Sequence, residues 1–191
     1  MKLRTKLATL IAAFVLVAAL TVVGVLAVNN ATVNLGGTVN FVATDIKATV
    51  TGTVTGTSTA VTLPNLVYTA SSTPSSSDLE AWDDLEWNFA SKTTDIVLTI
   101  TVTNNSTERA LSSNLAAATP VSGQTFAGKN ISVTTAVTNP ASGASVGSDY
   151  EVAVGQSITY TITFSIVDQN LSVSSAGWES TLTLENVTAG A

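Results

Sequence analysis

The chain of 191 residues contains neither histidine nor cysteine. Without histidine there can be no Ser-His-Asp triad, no Cys-His dyad and no imidazole ligand for zinc or iron. Without cysteine there is no disulfide framework, no thiolate metal site and no thiol nucleophile. Positive charge is nearly as scarce. Lys2, Arg4 and Lys6 crowd the first six residues, and only Lys47, Lys92, Arg109 and Lys129 follow, against 13 acids. A chain that acidic, with no basic patch, is a poor partner for nucleic acid or for anionic lipid headgroups. Carboxylates are the main groups left for acid–base work or metal binding. The expectation is therefore a protein that is not an enzyme and calls for no cofactor. Its negative, Thr/Ser/Asn-rich surface suits an exported protein, and beyond a leader it has roughly the length of one domain with a sizeable core.

An apolar stretch is the first thing the sequence does supply. After the basic start, residues 7–28 are apolar except for Thr9, Thr21 and Gly24. As a helix this run would extend about 33 Å, enough to span a bilayer and longer than a usual leader core. Small residues at Val25-Leu26-Ala27, followed by polar Asn29-Asn30, favour cleavage between Ala27 and Val28. Residues 1–27 are accordingly read as a signal peptide, with an uncleaved membrane anchor as the other reading. Either way the basic start places the remainder outside the cytoplasm, and the membrane is met only through this leader.

Beyond Asn29 the period is two. Ile96, Leu98, Ile100 and Val102 alternate with threonines, and Ile158, Tyr160, Ile162, Phe164 and Ile166 do the same. One apolar face and one threonine face describe half-buried antiparallel strands. Shorter patterns at residues 38–46, 48–55, 66–69, 130–137, 151–154 and 180–187 bring the count to about eight, separated by Pro/Gly/Ser/Asn turns. The expected fold is all-β: an antiparallel two-sheet sandwich, jelly-roll or immunoglobulin-like, over residues 42–191. Residues 28–41 are set apart as an N-terminal strand with no obvious partner in the rest of the chain. Its apolar side chains are Val33, Leu35, Val39 and Phe41, with Leu35 and Val39 on either side of a kink at Gly36-Gly37. The thin pattern of residues 49–57, threonine alternating with valine or glycine, suggests a sheet edge to which another chain could add.

Two features invite a chemical reading. Asp78, Glu80, Asp83, Asp84 and Glu86 form the densest acid cluster, on a predicted short helix capped by Ser77. It reads as a solvated face over a tryptophan; a calcium loop or a carboxylate-pair glycosidase would be the chemical alternatives. Trp82, Trp87 and Trp178 read as core plugs, or else as a carbohydrate groove. Glycosylation sequons at Asn30, Asn104, Asn105, Asn130, Asn170 and Asn186 arise readily in so Thr/Ser-rich a chain.

Three stretches in order resemble the TasA/camelysin family of secreted, fibre-forming proteins of Gram-positive biofilm matrices. They are "NLGGTVNFVATDIKATVTG" directly after the leader, "DIVLTITVTNNSTERALSSNL", and the pair "VAVGQSITYTITFSIVD" and "WESTLTLENV". The resemblance implies a jelly-roll subunit whose leader is removed by a signal peptidase and whose partners are copies of itself. The N-terminal segment of one subunit would then lie in a groove of the next, with Val33, Leu35, Val39 and Phe41 as the buried side chains of the donor strand. The competing expectation, from another class, is a membrane-anchored extracellular module that binds carbohydrate or protein.

Overall fold

A computed structural model describes residues 34–69, 72–140, 145–146, 149–171 and 175–187. The leader, the Ala27/Val28 junction, Asn30 and Val33 lie outside these residues. The described chain is all-β and forms two sheets, a sandwich-like arrangement with one short helix.

One sheet is built on β2 (Ala48–Thr55), β3 (Leu66–Tyr68), β5 (Ile96–Asn104), β8 (Ile131–Pro140) and β11 (Ser157–Ile166), in the order β3-β2-β5-β11-β8. The alternation in β5 and β11 does what the period of two demands. Ile96, Leu98, Ile100 and Val102 are buried, as are Ile158, Tyr160, Ile162 and Phe164, while the threonines between them lie on the outer face. Opposed hydroxyls on that face pair across the strands, Thr101 with Thr159 at 3.2 Å and Thr103 with Ser157 at 2.8 Å.

The second sheet contains β1 (Asn34–Thr44), β4 (Leu85–Asn88), β6 (Leu111–Leu115), β9 (Ser145–Val146), β10 (Asp149–Val152) and β12 (Ala176–Asn186), in the order β4-β1-β12-β6-β10-β9. A two-residue strand, β7 (Thr119–Pro120), pairs with β12 as well. The first and last strands, β1 and β12, run parallel from Leu35↔Ala176 to Thr44↔Glu185; the other pairings of the sheet are antiparallel. Between the layers an aromatic group fills the core: Trp178 stands 5.0 Å from Phe164 and 5.7 Å from Trp87, ring centre to ring centre.

Several expectations change here. The segment set apart as unpaired is paired within the chain, with β12 from Leu35 to Thr44 and with β4 from Asn34 to Gly37. The boundary drawn at residues 41/42 falls inside β1. Gly36-Gly37 is no kink, since β1 runs through both and neither has a positive φ. The segment over residues 49–57 is an edge only in part: β5 pairs with β2 along its length, β3 covers the other side at Ala48–Val50, and beyond that the isolated bridge Thr53↔Thr62 follows on that side. Its thinness has a local cause, because a Cβ on Gly52 would sit 2.3 Å from Cη2 of Trp82. The indole occupies the place a side chain would take.

Burial also shapes the titration of two tyrosines. Tyr68 and Tyr160 are pushed up to about 12 from the ordinary 10.0, chiefly by desolvation of the phenolate. The Tyr160 hydroxyl donates to Ser113 Oγ at 2.9 Å; turned round, the Ser113 hydroxyl donates to the phenolate, which opposes that rise, while the charges of Tyr150 and Asp149 add to it. The folded chain thus holds these protons more tightly than the unfolded chain. The associated stability is complete below pH 10 and is lost as pH rises through 10 toward 12. Urea midpoints should fall across that window, and the Tyr68→Phe/Tyr160→Phe chain should show a flatter profile there.

Candidate functional site

Of the residues assigned to a donor strand, Leu35, Val39 and Phe41 fall on one face of β1. Leu35 and Val39 are fully buried and Phe41 partly so, its ring 5.3 Å edge-on from Trp82. Gly37, on the same face, pairs in register with Trp178 and leaves room for its indole. The slot that holds β1 is therefore keyed. β12 supplies one wall and β4 the other along residues 34–37. Below β4 the helix α1 (Ser76–Asp83) takes over, where Thr38 Oγ1 donates to the Asp83 carbonyl at 2.6 Å. Only Asp45, Ile46 and Lys47 connect β1 to β2, and Asp45 adopts φ 50°, a left-handed conformation for a residue with a side chain.

The acid cluster sits on and just after α1. Ser75, not Ser77, caps the helix: its hydroxyl accepts from the Asp78 N–H at 3.2 Å, the three-residue reach of a capping side chain. Trp82 is the buried residue of this helix and donates from Nε1 to the Pro64 carbonyl at 3.0 Å. Glu80, Asp83, Asp84 and Glu86 point to solvent, and among the described residues no three acids gather as a metal-binding group. All three tryptophans are buried, so they are core residues and form no exposed groove.

A second feature was not legible in the sequence. A polar cleft of about 200 Å³ is lined by Asp45, Lys47, Ser106, Thr107, Glu108, Arg109 and Asn186. Three chain segments meet there: the β1–β2 turn, the β5–β6 loop and the end of β12. Of the four cations beyond the leader, Lys92 is buried and donates to the Gln169 and Leu171 carbonyls at 3.2 and 3.0 Å. Two of the remaining three, Lys47 and Arg109, line this cleft. The loop that forms its wall hangs on buried Asn104, whose Nδ2 donates to the Arg109 and Val152 carbonyls while Oδ1 accepts from the Ser106 N–H. Asn104 is thereby withdrawn as a glycosylation acceptor in the folded chain, and Asn130 has both amide atoms bonded to the backbone of Asp168. Asn105 and Asn170 are exposed. The single visible signal for the cleft was the polar run Asn104-Asn105-Ser106-Thr107, a turn motif with no stated ligand.

Compared with models of known protein families and with curated proteins, the chain matches none.

Proposed function

We propose that the protein is a secreted structural subunit, similar to the TasA/camelysin proteins, that assembles head to tail into an extracellular fibre by exchanging its N-terminal strand. On this reading the sandwich is of jelly-roll type, the leader is removed after Ala27, and the protein performs no catalysis. The observation that carries the reading is the way β1 is held. On its apolar face Leu35 and Val39 are fully buried and Phe41 partly so, yet only the turn Asp45–Lys47, with Asp45 at φ 50°, joins it to the next strand. Short hinges under strain favour exchange of the element they tether, because the neighbour's copy remakes every contact while the hinge relaxes. Exchange passed from each subunit to the next is heterologous, so it propagates instead of closing.

Electron microscopy of a chain beginning at Val28, beside one beginning at Thr38, tests the proposal. Filaments are expected only from the longer chain. A peptide spanning residues 28–37 should occupy the part of the slot left vacant in the shorter chain, restoring its tryptophan fluorescence without restoring growth. Filaments from both chains, or from neither, would count against strand exchange.

The polar cleft favours a second reading, the anchored module that binds carbohydrate or protein, since it offers both signs of charge, hydroxyls and an amide to a polar ligand. N-terminal sequencing of the exported protein separates the two: a free Val28 supports the fibre and an intact Met1 the anchored binder.

A further inference from the structure

The long free edge of the five-stranded sheet belongs to β8. Among the described residues β8 pairs with β11 alone, and its other side carries no strand. The opposite end of the same sheet carries β3, of three residues, which pairs with Ala48–Val50 of β2, and the bridge Thr53↔Thr62 follows on that side. Natural sheets blunt a long edge with lysine, proline, an inward charge or a bulge. β8 has two of these at one end only. Its pairing shifts opposite Thr159/Tyr160 and its last residue is Pro140. From Ser132 to Val137 there is no charge, no proline and no bulge, in a chain that carries 13 acids.

We infer that this edge is where two copies of the chain pair, β8 against β8, antiparallel about a two-fold axis at Thr135. Three observations select a second copy and fix the register. First, net negative charge makes most surfaces of two copies repel, whereas Ser132–Val137 brings no charge against itself. Second, inner and outer faces must stay continuous across the new pair, because a one-residue slip turns every side chain over. Self-pairing therefore centres on a residue and not between two. Third, the inner-face Val133 and Val137 are only partly buried where they meet the core, while Ser132, Thr134 and Ala136 are exposed on the outer face. Centring on Thr135 sets Val133 of each copy opposite Val137 of the other and joins two unfinished core edges. The result is a continuous sheet of ten strands. The contact is isologous and closes on itself, so it is independent of the strand exchange proposed above and would tie two fibres side by side, or two monomers together.

The absence of cysteine makes the test clean. Directly opposed residues of an antiparallel pair have Cα atoms about 4.5–5.5 Å apart, within the span of a disulfide. A full exported chain carrying Thr135→Cys as its only cysteine is expected to give a covalent dimer on mild oxidation. Thr134→Cys, which the register sets opposite Ala136, and Thr161→Cys, on the outer face of central β11, should give at least tenfold less. Circular dichroism confirms that each variant is folded. The dimer should form whether or not filaments are present, and Thr134→Lys/Ala136→Lys should return the otherwise unmodified chain to single width or single mass. Cross-linking at Thr135 no greater than at Thr161, preference for Thr134, or dimers that survive the double lysine substitution overturn the inference.

Discussion

Gly37→Val is expected to lower the unfolding free energy by more than ~3 kcal/mol, beyond the usual cost of overpacking a core. A Cβ at this position would lie 2.0 Å from Cε2 and 2.1 Å from Nε1 of Trp178. Neither side can give way. The backbone of Gly37 is paired with Trp178 on β12 and with Leu85 on β4. The indole is fully buried and wedged against Phe164 and Trp87. Its Nε1 is buried with no hydrogen-bond partner among the described residues, so shape alone holds the ring there. Gly36→Ala is the matched control, since the nearest atom to its added Cβ is the Leu85 carbonyl oxygen at 4.0 Å. Urea unfolding followed by tryptophan fluorescence should show a large fall in midpoint for Gly37→Val and little change for Gly36→Ala. Adding Trp178→Leu to Gly37→Ala should cost less than the two separate losses combined, the mark of residues in contact. Equal effects at Gly36 and Gly37 would refute the packing assignment.

Asn104→Leu carries the second large effect, a loss of about 2–4 kcal/mol. Leucine keeps the volume but strands the Val152 and Arg109 carbonyls and the Ser106 N–H, and a buried polar group left without a partner costs about 1–3 kcal/mol. Arg109 and its neighbours Thr107 and Glu108 are exposed, so water recovers part of that loss. Asn104→Asp distinguishes hydrogen bonding from packing. It preserves the acceptor for Ser106 but turns a carboxylate toward two carbonyl oxygens in a buried position. Burial and those oxygens raise the carboxyl's folded pKa above its unfolded value, so this variant should be most stable at acid pH and lose stability as pH rises through the raised pKa. Denaturation midpoints at pH 4 and pH 7 read the sign directly. If Asn104→Asp matched the parent at both, the bonding scheme would be wrong.

The strands that were legible in the sequence are those whose inward residues are all apolar, such as β5 and β11. β6 was not, because its middle inward residue is Ser113, fully buried and acceptable there only because Tyr160 donates to it from the other sheet. That partner lies 47 residues away. The same limit governs β1. Its alternation was readable from Leu35 to Phe41, but its neighbours are residues 176–185 and 85–88, and no local pattern reports a parallel pairing between the two ends of a chain. Gly37 and Gly52 looked like weak points of their strands because the indoles that fill their space come from Trp178 and Trp82. The polar cleft shares this origin, since residues 45–47, 106–109 and 186 converge only when both sheets are in place.

The pairing of β1 with β12 also decides how the folded chain answers a pull. The strands are parallel, so the start of β1 and the end of β12 lie at opposite ends of their shared ladder. Tension applied through those two points drags the strands past each other lengthwise, loading the rungs from Leu35↔Ala176 to Thr44↔Glu185 together. An antiparallel pair held the same way would open like a zipper, one rung at a time. The ladder is a shear joint, and under the proposed strand exchange it would stay one with the β1 of the next molecule in the slot.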